Sequence, residues 1–165
     1  MVTVRPYCQA DWQRLCEIHN AARLDELACT NGIDAFKTLE QAFEEDGLFD
    51  GKLDVALIDV TVVGFIAYTP CEITWLYVAP EAYRRGVGRV LLQHALSHTE
   101  RPVTLEVLEG NNVALLLYES VGFQLQKRVM GNLSGNESFP ATGLVLKLDK
   151  PPAWDHPRRE RCRHA

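Results

Sequence analysis

The segment Tyr83-Arg84-Arg85-Gly86-Val87-Gly88-Arg89 sets two glycines and three arginines where a β-branched run gives way to a helical pattern. Glycine lets a backbone approach a bound group with no Cβ in the way. The first turn of a helix offers N–H groups without intrahelical partners and the positive end of the helix dipole, so it attracts an anion. Arg84, Arg85 and Arg89 add full charges. The chemistry indicated is the holding of a phosphate or pyrophosphate. Two nucleotide-binding patterns are excluded. A Walker loop needs Gly-Lys-Ser/Thr, but Gly88 is followed by Arg89-Val90. A dinucleotide-binding turn needs a third glycine where Leu91 stands.

Other residues bear on chemistry. Tyr118 lies at helical spacing from Ala114 and Val121, and Asn111 stands where a helix cap belongs. Glu72 and Glu106 each sit in an extended run. Cys71, beside Glu72, raises a covalent route through its thiolate, against which stands its reading as a small buried apolar residue. The histidines (His19, His94, His98, His156 and His164) do not suggest a metal site, and none is expected.

These residues need elements to hold them. Strands are predicted over residues 2–5, 55–59, 62–69, 73–78, 103–108, 123–130 and 143–148, from β-branched runs and their Gly or Pro boundaries. Helices are predicted from Asp11 or Ala10 to about Ala22, from a cap at Asp34 to Gly47, from Gly86 to about His98, and from Asn111 to Val121 with Gly122 as the stop. Residues 23–32 read as a loop or short broken helix, and the polar run 131–138 as a mobile lid. The order is an α/β mixture on one sheet. The predicted domain is 1–149. Residues 150–165, with Pro151, Pro152, Pro157 and four arginines, read as an extended tail.

Two blocks then resemble the GCN5-related N-acetyltransferases, the GNAT family. Val78-Ala79-Pro80 followed by Gly86-Val87-Gly88 looks like that family's strand end and its Q/R-x-x-G-x-G/A cofactor motif, with Tyr83 in place of Gln or Arg. Leu105, Val107, Asn111, Ala114, Leu117, Tyr118, Gly122 and Phe123 match its later motif. The resemblance covers about residues 2–148. It implies one mixed, mostly antiparallel, twisted sheet of about seven strands flanked by four helices, with splayed central strands. It implies acetyl-CoA as cosubstrate, without metal, and acetyl transfer to a primary amine by direct attack in a ternary complex. The alternative is a non-catalytic acyl-CoA-binding regulatory module.

The same resemblance implies roles. Gly86, Val87, Gly88, Arg84, Arg85, Arg89 and Tyr83 would hold the pyrophosphate. The main chain of Leu76, Tyr77 and Val78 would pair with the pantetheine arm, with Asn111 and Ala114 nearby. Tyr118 would give a proton to the leaving thiolate. An aliphatic ammonium, with a pKa of roughly 10, must lose a proton before it attacks. Glu106, Glu72 or a water would receive that proton. The acceptor would lie among residues 23–32, 104–108 and 131–141, where Asp25 and Glu26 could meet a cation.

Composition fits this reading. Of 165 residues, 47% are hydrophobic and 24% charged, an ordinary globular balance. The net charge is -5. Residues 150–165 carry +3, leaving -8 for the rest, which argues against nucleic acid and suits a cationic acceptor. A small molecule or a peptide remains open as that acceptor, and so does a homodimer. Five cysteines without a C-x-x-C pair argue against a disulfide framework and for a reducing, cytoplasmic setting. The N-terminus lacks the apolar run of a signal peptide, and no apolar stretch approaches the roughly 20 residues that span a bilayer, so no membrane partner is expected.

Overall fold

The computed structural model describes residues 1–150 and Pro152. The remainder of the tail read from the sequence lies outside the described residues. The chain runs β1 (Val2–Pro6), α1 (Trp12–Ala28), α2 (Leu39–Ala42), β2 (Lys52–Ile58), β3 (Thr61–Tyr68), β4 (Glu72–Val78), α3 (Val87–Leu96), β5 (Val103–Leu108), α4 (Asn112–Ser120), β6 (Gln124–Leu133) and β7 (Asn136–Leu148), with short 3-10 turns between. All seven strands form one sheet in the order β1-β2-β3-β4-β5-β7-β6. Every neighbouring pair is antiparallel except β4 and β5.

That parallel pair is joined only at Glu72↔Thr104 and Ile73↔Leu105. Beyond it the strands part, and the edge of β4 from Thr74 to Val78 faces a gap. A second irregularity lies beside it. The β3–β4 register passes from Ala67↔Trp75 to Tyr68↔Ile73, so Thr74 is left without a partner. Side chains alternate across a sheet, and the extra residue turns the phase over. Ile73 therefore shares a face with Tyr68, while Trp75 and Tyr77 face α1. Glu72, in register with Thr104, joins Trp75 and Tyr77 on that side.

The main core packs on both faces of the sheet, with Leu15 and Ile18 of α1 and Leu91, Leu92 and Leu96 of α3 almost fully buried. A smaller core of Leu27, Ala35 and Leu133 stands apart from it, flanked by Phe36, Leu108, Phe139 and Ala141. Helix α3 is tied at its C-terminal end, where His94 Nε2 lies 3.0 Å from Asp54 Oδ2, an oxygen that also accepts the Tyr68 hydroxyl at 2.7 Å.

Three sequence expectations change. Helix α1 does not stop at Ala22 but continues to Ala28, because Leu27 is fully buried and Arg23 pairs with Glu26 one turn on, at 2.7 Å. The second helix is shorter and starts later. Asp34 falls inside a 3-10 turn, and Thr38 forms the capping box with Gln41. Residues 131–138 are not a free loop but the end of a long hairpin, with Gly131↔Ala141 and Asn132↔Pro140 in register. Nine of the ten β6 residues are exposed, and the strand predicted to end at Met130 runs on through the polar Gly131 and Asn132 to Leu133.

One stability prediction arises at the first strand. Asp11 accepts from both terminal nitrogens of Arg5 (2.7 and 2.9 Å) and from the Cys8 N–H (2.9 Å). The Arg5 guanidinium holds the Asp11 carboxyl at about 2, below its usual 3.8. A depressed carboxylate stabilises the fold above its unfolded pKa, and the contribution is lost as pH falls toward the folded value. Asp11→Asn is expected to cost about 1–2 kcal/mol at pH 7, discounted because Arg5 is partly solvated. Urea unfolding at pH 7 and pH 2.5 checks this: the penalty should shrink at the lower pH.

Candidate active site

The turn before α3 is built for close approach. Arg84 (φ 60) and Gly86 (φ 80) both take the left-handed conformation, and Gly86 is the N-cap of α3. Left-handed residues set into such a turn point successive N–H groups toward one concavity, which is an anion-binding nest. A Cβ built on Gly86 would meet nothing within 4 Å, so the space above this backbone is open. Gly88 is different: its Cβ would lie 3.2 Å from Leu117 and 3.7 Å from Val78, so this glycine lets α3 pack against α4 and β4. The residues therefore fit a pyrophosphate. Arg84 and Arg89 border the cleft. Arg85 is exposed and does not line it.

A cleft of about 960 Å³ runs from this turn along the β4 edge to the β6–β7 hairpin. Every proposed cofactor residue except Arg85 lines it: Leu76, Tyr77, Val78, Tyr83, Arg84, Gly86, Val87, Gly88, Arg89, Asn111, Ala114 and Tyr118. The volume lies at the upper end of small-molecule sites. Beside the gap, alternate residues of β4 have N–H and C=O groups with no β5 partner, the donors and acceptors that an extended ligand arm can pair with.

Tyr83, which departs from the family's Gln or Arg, crosses to the opposite wall, where its hydroxyl donates to Asp25 Oδ2 at 3.0 Å. Asp25 is thus engaged with the cofactor turn. Glu26, the other carboxylate expected to meet a cation, accepts from Arg23 (2.7 Å) and from the Tyr77 hydroxyl (3.0 Å). Both contacts depend on α1 continuing past Ala22.

Asn111 caps α4, its Oδ1 accepting from the Ala114 N–H at 3.2 Å, and still borders the cleft. Tyr118 is buried at 7% exposure, edge-on to Phe123. Its hydroxyl makes no hydrogen bond to a described residue and faces the cleft. Burial first, and Glu26 second, push its pKa well above the ordinary tyrosine value, so it keeps its proton throughout the neutral range.

Glu72 and Glu106 are both exposed and both line the cleft. Glu106 leans along β5 over Gly143 of β7, where a Cβ would collide with its carboxylate. A glycine at 143 is therefore what seats Glu106, a relation between strands that no local pattern announces. Cys71 is exposed and is absent from the cleft wall. Among the described residues, no group of three or more His, Cys, Asp or Glu is arranged to hold a metal, and no helix is long and apolar enough to cross a membrane.

The split sheet, the turn before α3 and the cleft that joins them invite comparison with known proteins. A model of the acetyltransferase (GNAT) domain matches residues 50–125. The uncharacterized N-acetyltransferase YafP of Escherichia coli is 29% identical over 77% of this chain and 84% of its own length. The ribosomal protein bS18-alanine N-acetyltransferase of Salmonella typhimurium is 44% identical over 43% of this chain and 53% of its own. The structure of yncA from Salmonella typhimurium, solved with its cofactor acetyl-CoA, superposes with a TM-score of 0.64 over 92% of this chain and 98% of that one, at 22% identity. The matches to curated relatives span from 24% to 84% of those proteins' lengths. Residues 50–125 of the chain match the GNAT acetyltransferase domain, and over 77% of its length the chain is similar to an N-acetyltransferase.

Proposed function

We propose that the protein transfers the acetyl group of acetyl-CoA to a primary amine, by direct attack in a ternary complex. One observation carries this reading: a single cleft joins the nest at residues 83–88, the unpaired edge of β4, the unpartnered hydroxyl of Tyr118 and the carboxylates of Glu72 and Glu106. Acetyl-CoA supplies an activated thioester carbonyl. The nest holds its pyrophosphate, and the β4 edge orients its arm. An N–H of residues 76–78 facing the gap stabilises the oxyanion that develops on attack. Tyr118 delivers a proton to the sulfur as it leaves. Glu106 and Glu72 present negative charge to the incoming ammonium.

The acceptor is a small-molecule or peptide amine. The peptide form is favoured by the relative that acts on a ribosomal protein's alanine, and by a cleft that stays open beyond the carboxylates. The test is thiol release from acetyl-CoA across a panel of free amines and peptides. Release with one class supports the enzyme; tight acetyl-CoA binding with no release from any of them supports the binding module. Glu106→Gln is expected to lower kcat/KM for the amine about tenfold or more. Acetyl-CoA affinity, measured by calorimetry, should be unchanged. Glu72→Gln, nearer the closed end of the gap, should do less.

A further inference from the structure

His19 lies on the α1 wall of the cleft and is only 2% exposed. Its ring stands edge-on to Tyr77, with centroids 4.9 Å apart, and tilts against Trp75 at 5.7 Å. Its Nδ1 is 3.0 Å from Asn20 Oδ1. The backbone N–H of Leu39 donates to that same Oδ1 at 2.8 Å. A backbone donor demands an acceptor, so the Asn20 amide can face it only with its oxygen. Nδ1 of His19 must then carry the hydrogen, and Nε2 holds the free lone pair. Nε2 makes no hydrogen bond to a described residue, and His19 is among the residues that line the cleft.

We propose that His19 is a proton acceptor of the acceptor half of this site, its Nε2 taking the proton that an incoming ammonium must lose, directly or through one water. The inference rests on the acetyltransferase reading above. An ammonium N–H bond breaks as the Nε2–H bond forms. The electron pair stays on nitrogen and attacks the thioester carbonyl. The C–S bond then breaks with its pair on sulfur, which takes its proton from Tyr118. The nitrogen's second proton leaves through solvent and restores the phenol, and the proton on Nε2 passes to solvent as the product departs. The carboxylates of Glu72 and Glu106 hold the cation in place.

The surroundings agree. Burial lowers the pKa of His19 from 6.5, which keeps the ring in its accepting form at neutral pH. The polar groups that act on it are Asn20, Arg23, Glu26 and Glu40, and Tyr77 and Trp75 cover its faces. Arg23 opposes protonation, while Glu26 and Glu40 favour it.

The experiment uses the full chain with acetyl-CoA and an amine that turns over. The wild-type kcat/KM should rise with pH along a limb set below 6.5. His19→Gln should lower kcat about 100-fold and abolish that limb while leaving acetyl-CoA affinity intact. Asn20→Asp keeps the oxygen that Leu39 needs but places a negative charge on the Nδ1–H side. It should move the limb to higher pH by about one unit or more. A purely packing role for His19 leaves the limb where it was in Asn20→Asp, and that result overturns the proposal. Nitrogen NMR of labelled histidine at pH 7.5 is the second arm: an Nε2–H tautomer would also overturn it. Thiol release with unmoved limbs refutes only the role of His19. Absence of thiol release with every amine refutes the parent reading and this one with it.

Discussion

Gly86→Asp is expected to raise the dissociation constant for acetyl-CoA by at least about 100-fold, which corresponds to about 2.7 kcal/mol. Two effects combine. Gly86 sits at φ 80 as the N-cap of α3, a conformation that costs a residue with a Cβ roughly 1–2 kcal/mol. A Cβ there would meet nothing within 4 Å, so the new side chain has room, and its carboxylate would compete with a pyrophosphate held on this turn. The two effects can be separated. Asn has the same shape, tolerates the left-handed region about as well as Asp, and carries no charge. Gly86→Asn should therefore weaken binding much less than Gly86→Asp. Calorimetric titration at two salt concentrations reads the difference, which should narrow at high salt. Equal loss in both variants would mean that no anion rests on this turn.

Tyr118→Phe carries the second large effect, a fall in kcat of about 100-fold or more with unchanged acetyl-CoA affinity. The structure makes this substitution unusually clean. The phenol has no hydrogen-bond partner among the described residues, so its removal orphans nothing, and the ring keeps its packing on Phe123. Stability should stay within about 0.5 kcal/mol of the parent. The chemical check uses an acetyl donor whose thiol is more acidic than that of coenzyme A. Such a sulfur leaves without a proton, so the variant should recover most of its rate. A persistent loss with that donor would assign Tyr118 a packing role.

The two effects were legible to different degrees. The turn at residues 83–88 and the helix behind Asn111 could be read because each rests on local rules, namely glycine where backbone must come close and a side-chain cap at a helix start. The strands of the sheet interior were legible through their β-branched runs. What escaped was decided by partners far along the chain. Helix α1 runs on through Arg23, Asp25 and Glu26, a polar stretch that looks like a loop until Tyr77 and Tyr83 are seen to meet it. The extension of β6 past Met130 runs through exposed polar residues and is held by its pairing with β7. Gly143 matters because of Glu106, and the lone pair of His19 is settled by a backbone N–H twenty residues on, at Leu39. The phase change at Thr74 left no mark in composition, yet it decides that Glu72 shares a face with Tyr77.

The second hydrophobic cluster has a further meaning. Leu27, Ala35 and Leu133 pin the end of the β6–β7 hairpin to the segment after α1, helped by Asn136 to the Ala35 carbonyl (2.9 Å), Ser134 to Asp46 (2.7 Å) and Lys37 to the Gly135 carbonyl. None of these residues belongs to the main core or to the phosphate turn. The molecule is in this respect modular. On the proposed reading, changes to this rim, where the amine would enter, need not disturb the turn that would hold the nucleotide, so selection could redraw the choice of acceptor without rebuilding the donor side.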